Sequence, residues 1–218
     1  MNKCYKLLII LLCFTMLVGC KDKEIKNTDA LKFKEEYESL NNIEKYIDVK
    51  IDEDNPFIYA DYENIMEIID TTGIIYFGFK ECPWCRNAVP ALIKAANKTG
   101  IKEIYYYNVK DIRNTLELGE NGEIITKKEG TDEYNSIVNA LYESLDVYKG
   151  LNDDSIKRIY APTVIFIKDG EVVGTHTSTV ETQKDPSIKL TENQEAELIK
   201  IYEGYIHKVL DDLCTDAC

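Results

Sequence analysis

Cationic charge is scarce in this chain: 26 lysines and arginines stand against 39 aspartates and glutamates, a formal net charge of −13 over 218 residues. Such a field repels phosphate backbones, and no basic cluster reverses it, so nucleic acid is disfavoured as a partner. Histidine is scarcer still. The only two, His176 and His207, fall in a hairpin strand and in the last helical segment, where packing or surface roles outweigh a role as catalytic base. A comfortable membrane span is also missing, since the apolar stretch Leu7 to Val18 holds roughly half the ~20 residues a bilayer crossing needs. "DEDNPF" (52–57) looks superficially like a calcium loop, but Pro56 and Phe57 stand where a further ligand and the turn glycine are required, so it reads as a turn. The length excludes two comfortable domains and fits one folded unit with some tail.

What is present begins with "MNKCYKLLIILLCFTMLVGC", where Lys3 and Lys6 precede the apolar run and small residues close it. That is the pattern of an export signal over residues 1–19. A transmembrane anchor or a buried helix is the competing reading, and the short run counts against both. "LVGC" at 17–20 resembles the lipobox of bacterial lipoproteins. The resemblance implies cleavage before Cys20, diacylglycerol on its sulfur, and a lipid-anchored location on the outer face of the bacterial cytoplasmic membrane. Of seven cysteines, Cys4 and Cys13 would leave with the signal and Cys20 would carry lipid. Cys82 with Cys85 and Cys214 with Cys218 remain, an even number that in an exported protein fits disulfide chemistry better than structural zinc.

Residues 20–30 read as a polar tether and 31–56 as an N-terminal extension, with a helical face at Leu31 to Leu40 and a strand at "YIDVKI" (46–51). From residue 57 to 218 the pattern is one α/β domain. A helix at Tyr62 to Ile69 precedes "GIIYFGF" (73–79), a nearly continuous apolar run expected of a central buried strand. Ala88, Val89, Leu92, Ile93 and Ala96 recur at three- and four-residue steps and predict a helix over Cys82 to Asn97. "EIYYYNV" (103–109) is a second strand; Asn121-Gly122 marks a hairpin insertion within 113–130; Tyr134 to Leu145 keeps a helical period. Asp169-Gly170 joins two strand-like runs, and Thr191 with Gln194 offers a capping box for a closing helix carrying Leu198 to Leu213. Parallel strands joined through helices, then an antiparallel pair, predict a mixed central sheet flanked by helices.

"KECPWCRNAVP" (80–90) places two cysteines at the end of a strand and the start of a helix. There the unsatisfied amides and the positive end of the peptide dipoles favour a thiolate at Cys82. Pro83 suits the first helical turn, and Cys85, one turn on, lies on the same face, placed to attack a mixed disulfide formed at Cys82. Spacing alone does not exclude a zinc knuckle, which uses the same two-residue gap. The partner pair for zinc would be Cys214 and Cys218, far away in the chain.

"IIYFGFKECPWCRNAVPAL" resembles the strand, active site and first helix of thioredoxin-like proteins, including Pro90 five residues beyond the second cysteine. "RIYAPTVIFIKDGEVVG" resembles their second signature, a strand opened by a cis proline and followed by a glycine turn. The resemblance covers about residues 57–213, with 113–130 as the insertion, and comes nearest to thioredoxin-like lipoproteins of the bacteriocin-transport accessory group. It implies an exposed nucleophile at Cys82, a resolving thiol at Cys85, and a cis Pro162 against the sulfurs. It also implies that the backbone of Ala161 pairs with substrate and that Trp84 stacks on substrate or covers the disulfide; a partly exposed aromatic on a helix tip is the plain alternative for Trp84.

One position departs from that pattern. Thioredoxins carry a buried acid six residues before the first cysteine, and here that residue is Tyr76, a poor base near neutral pH. Glu81 beside the nucleophile is a partial substitute for that acid but opposes thiolate formation, while Lys80 and Arg86 favour it. The expected function is a membrane-tethered thiol-disulfide oxidoreductase with no cofactor beyond its redox-active disulfide, exchanging with thiols or disulfides of exported proteins or with a membrane redox partner. The competing expectations are a non-catalytic lipoprotein of the same fold binding metal or a partner protein, and a purely structural disulfide.

Overall fold

The computed structural model describes residues 28–210. The export signal, Cys20, Cys214 and Cys218 lie outside these residues, as does most of the 20–30 tether. Helix α1, Thr28–Glu38, begins inside the segment read as tether and buries Ala30, Phe33 and Tyr37. The Phe33 ring stacks on Tyr37 and on Phe57 at centroid distances of 4.5 and 3.9 Å. Residues 31–56 are thus part of the core rather than an appendage to it.

The chain continues through β1 (Phe57–Tyr59), α2 (Tyr62–Asp70), β2 (Gly73–Gly78), α3 (Pro83–Thr99) and β3 (Ile104–Asn108). The hairpin β4 (Thr115–Leu118) and β5 (Ile124–Lys128) follows, then α4 (Asp132–Ala140), β6 (Thr163–Lys168), β7 (Glu171–Thr177) and α5 (Glu192–Val209). Five strands form one mixed sheet in the order β1-β3-β2-β6-β7. The pairs β1 with β3 and β3 with β2 are parallel, and β6 runs antiparallel to β2 and to β7. The β4–β5 hairpin is a separate two-stranded sheet. Among the described residues no helix is long and apolar enough to cross a membrane.

Side chains of β2 alternate between two cores. Ile74 and Tyr76 join α1, α3 and α5 on one face, and Ile75 and Phe77 join α2 and α4 on the other. Both faces are covered, which is why the strand reads as a continuous apolar run instead of an alternating one. The closing helix α5 starts at the expected capping box, Thr191 with Gln194. It is joined to α3 by the ion pairs Lys94–Glu195 at 2.7 Å and Lys98–Glu203 at 2.9 Å.

Three expectations need correction. "YIDVKI" forms no strand: Val49 and Ile51 are buried as its alternation implies, but its backbone pairs with side chains. Asn41 holds Val49 at both N–H and C=O (2.9 and 2.7 Å), Glu38 Oε1 accepts from Ile51 N at 2.8 Å, and Lys34 Nζ donates to Ile51 O at 2.7 Å. The turn expected over 52–57 holds over 52–56, with a bend at Glu53 and Asp54, but its last residue opens the short strand β1, whose outward amides are met by side chains. Phe57 N donates to Asn55 Oδ1 at 3.2 Å and Tyr59 N to Asp29 Oδ2 at 3.1 Å. The helix expected to reach Leu145 stops at Ala140 and tightens into a single 3-10 turn, Tyr142–Ser144, which keeps Leu141 and Leu145 in the same core.

Candidate functional site

The buried strand β2 ends at Gly78, and four residues later Cys82 caps α3. Its backbone is extended (φ −71°, ψ 119°), its N–H donates to Phe79 O at 3.2 Å, and Pro83 opens the helix where a missing N–H costs nothing. The Cys85 amide points back at the Cys82 sulfur, 3.4 Å away. Opposite, the Ala161–Pro162 peptide bond is cis. The Cys82 thiol donates to Ala161 O at 3.1 Å. Residues 79 positions apart therefore meet across the helix start, with Pro162 buried at the head of β6.

The two thiols are not bonded to each other, and they differ. A hydrogen bond from the Cys85 thiol, the amides of Cys85 and Trp84 and the charge of Arg113 hold Cys82 below the ordinary thiol value against the upward push of burial. Cys85 is pushed well up, first by burial and then by its hydrogen bond to Cys82 and the charge there; the Tyr76 hydroxyl and the Phe79 backbone work the other way. Two thiols one turn apart thus have separate protonation ranges.

Cys82 is not the open nucleophile that the sequence reading expects. Only 6% of the residue is exposed, and the Ala161 carbonyl lies against its sulfur. Trp84 is half-buried in the first turn and packs against the core.

Arg86 does not act on the thiolate as expected. It is 1% exposed and spends its donors on Ile47 O (2.7 Å), Tyr37 O (2.8 Å), Lys80 O (3.3 Å) and Asn41 Oδ1 (2.8 Å). Lys80 Nζ reaches Ser39 Oγ at 3.3 Å, and Glu81 is paired with Lys110 at 2.8 Å. The cation felt at the sulfur is Arg113, which the sequence reading passed over. Its signal was position: it follows β3 at the same end of the sheet, where loops leaving the carboxyl ends of parallel strands converge.

Tyr76 is fully buried, and its hydroxyl lies 3.2 Å from that of Tyr37 and hydrogen-bonds to Cys85. Burial first, and the negative charge of a Cys85 thiolate second, hold this phenol far above its usual range, so it is a neutral hydrogen-bonding group and not a base. Gly78 makes room for it, since a Cβ there would meet the Tyr76 ring at 2.6 Å.

His176 packs edge-on against Tyr202 and bonds Thr179 O at 3.0 Å, while His207 is exposed on α5; the hydrogen bonds of Cys82 go to Ala161 and Cys85, not to a histidine. Among the described residues no group of three histidine, cysteine or acidic side chains converges to hold a metal. Compared with known proteins, the chain matches no family model and no curated protein.

Proposed function

We propose that the protein is a thiol-disulfide oxidoreductase of thioredoxin-like fold, lipid-anchored through Cys20 on the outer face of the bacterial cytoplasmic membrane and exchanging disulfides with exported proteins or a membrane redox partner. The observation that carries the reading is the placement of Cys82. It caps α3, receives the Cys85 amide at 3.4 Å and faces Ala161 O at 3.1 Å beside a cis proline.

In the reductive direction the Cys82 thiolate attacks one sulfur of a substrate disulfide, the substrate S–S bond breaks, and the departing sulfur takes a proton. Cys85 then gives up its proton to solvent or to the leaving sulfur and attacks Cys82. The second substrate thiol is released, and a Cys82–Cys85 disulfide remains. Two electrons have passed from the pair to the substrate; the reverse sequence oxidises a dithiol. Deprotonation also helps to uncover the nucleophile. A thiol donates to the Ala161 carbonyl, whereas a thiolate is repelled by it and keeps only its amide donors.

An insulin-reduction or dithiol-oxidation assay tests this. Wild type turns over, Cys82→Ser does not, and Cys85→Ser accumulates a mixed disulfide on Cys82; equal activity of wild type and Cys82→Ser refutes the reading.

The 6% exposure of Cys82 favours a second reading, a non-catalytic binding protein whose cysteines brace the site or hold a metal. It requires thiols inert to iodoacetamide and no trapped partner, and stoichiometric zinc or copper on Cys82 and Cys85 in the purified protein would support it.

A further inference from the structure

Among the described residues, Arg113 near the thiol pair and Arg158 beside it form no ion pair with a carboxylate. The Arg113 guanidinium lies 5.1 Å from the ring centroid of Phe79, whose carbonyl accepts from Cys82 N. Arg158 lies 4.4 Å from the Tyr148 ring and 5.7 Å from that of Tyr160, the neighbour of Ala161. Its Nη2 donates to Asn114 O at 3.2 Å, which sets it beside Arg113. Both side chains are partly buried, and each repels the other: burial, then the Arg158 charge, holds Arg113 below the usual guanidinium range.

The ion pairs of the described residues are made by lysines, not by either arginine. Arg158 Nε and Asn114 Oδ1 are buried without a hydrogen-bond partner. Two partly buried like charges beside an unmade hydrogen bond are unfavourable until an anion joins them. In a chain of net charge −13 a carboxylate to neutralise them would be easy to supply, yet none is paired with them among the described residues. A Cys82 thiolate lends Arg113 part of its counter-charge, but it is the reacting sulfur itself, and Glu81 is held by Lys110.

We propose that Arg113 and Arg158 form a subsite for a carboxylate next to the reacting sulfur of the substrate, so that the favoured substrates are peptides bearing Asp or Glu beside the cysteine. The planar guanidinium fork matches a carboxylate in two-point contact, and the aromatic faces beneath the two groups hold them in place without neutralising them. The subsite rests on the oxidoreductase reading for its purpose, and its binding can be read without turnover.

The probe is a pair of cyclic disulfide peptides identical except for Glu or Gln on both sides of one cysteine. The reduced protein reduces the Glu peptide with a kcat/KM about fivefold higher than the Gln peptide at low salt, and the gap closes near 1 M salt, where screening is short-ranged. Arg113→Gln and Arg158→Gln shrink this ratio whatever they do to the absolute rate. Arg113→Glu transfers the preference to a Lys peptide, a gain that misfolded protein cannot produce. Calorimetric titration of the Cys82→Ser/Cys85→Ser variant with both peptides reads the subsite apart from chemistry. Equal rates and equal binding overturn the subsite and leave the oxidoreductase reading standing; selective binding without any exchange keeps the subsite and overturns the oxidoreductase.

Discussion

The hydroxyls of Tyr37 on α1 and Tyr76 on β2 lie 3.2 Å apart in the core, and Tyr76 hydrogen-bonds onward to Cys85. Two phenols thereby connect the first described helix to the buried thiol. Tyr76→Phe leaves the Tyr37 hydroxyl buried and unpaired, an expected loss of about 1–3 kcal/mol in denaturant unfolding. The double variant Tyr37→Phe/Tyr76→Phe recovers most of it, because removing both partners leaves nothing unsatisfied. A double variant as unstable as the single one would refute the pairing. Both variants also remove a donor to the Cys85 thiolate, so a mixed disulfide on Cys82 should resolve more slowly.

The separate thiol ranges are accessible to alkylation. Cys82, held low, reacts with iodoacetamide along a titration curve whose midpoint lies below the ordinary thiol value, and Cys85, held high, stays unmodified near neutral pH. Peptide mapping after a short pulse should find the label on Cys82 alone. Label on Cys85 would contradict the assignment.

The same shifts fix how stability varies with pH in the reduced protein. Cys82 has a depressed folded value, so its contribution is full above the ordinary thiol value and is lost as pH falls through the folded value. Cys85 has a raised one, so its contribution is full below the ordinary thiol value and is lost as pH rises towards the folded value. The gap in unfolding midpoint between reduced wild type and Cys82→Ser should therefore widen from neutral pH up to the ordinary thiol range. A flat gap would show that Cys82 is not depressed.

Arg86 ties Tyr37, Asn41, Ile47 and Lys80 to the start of α3. Arg86→Ala leaves buried carbonyls unsatisfied and is expected to destabilise by about 2–4 kcal/mol, with early proteolysis within residues 39–52. Arg86→Lys rescues little, since an ammonium cannot span four acceptors with a planar fork. Limited proteolysis followed by mass spectrometry checks both.

Gly78→Ala pushes a methyl group into the Tyr76 ring, 2.6 Å from its nearest carbon. The ring is walled in by Phe57 and Tyr106 at 5.3 and 5.9 Å, so an overpacking loss of about 1–3 kcal/mol is expected. Adding Tyr76→Phe should relieve little of it, since the ring itself is the obstacle; Tyr76→Leu should relieve more.

The strand-to-helix junction was legible because its signals are local. An apolar run, a cysteine, a proline at the first helical position and a three- and four-residue period lie within one stretch, and the Asp169-Gly170 hairpin and the Thr191 capping box are equally self-contained. What escaped depends on partners distant in the chain. "YIDVKI" alternates as a strand does, but its hydrogen-bond partners are side chains of Lys34, Glu38, Asn41 and Arg86, which no periodicity announces. Arg86 looked like a charge for the thiolate until four oxygens claimed it. The covering of Cys82 by Ala161 is a relation across 79 residues, and Arg113 gains its meaning only from the convergence of loops at one end of the sheet.

Strand β1 borders the central sheet, and the outward amides of Phe57 and Tyr59 already donate to Asn55 and Asp29. An incoming β-ribbon finds these two donors occupied, so sheet-to-sheet growth is blocked at that margin by the molecule's own side chains. Among the described residues, edge-to-edge pairing on the central sheet is left to the opposite margin, at β7, while the β4–β5 hairpin keeps edges of its own.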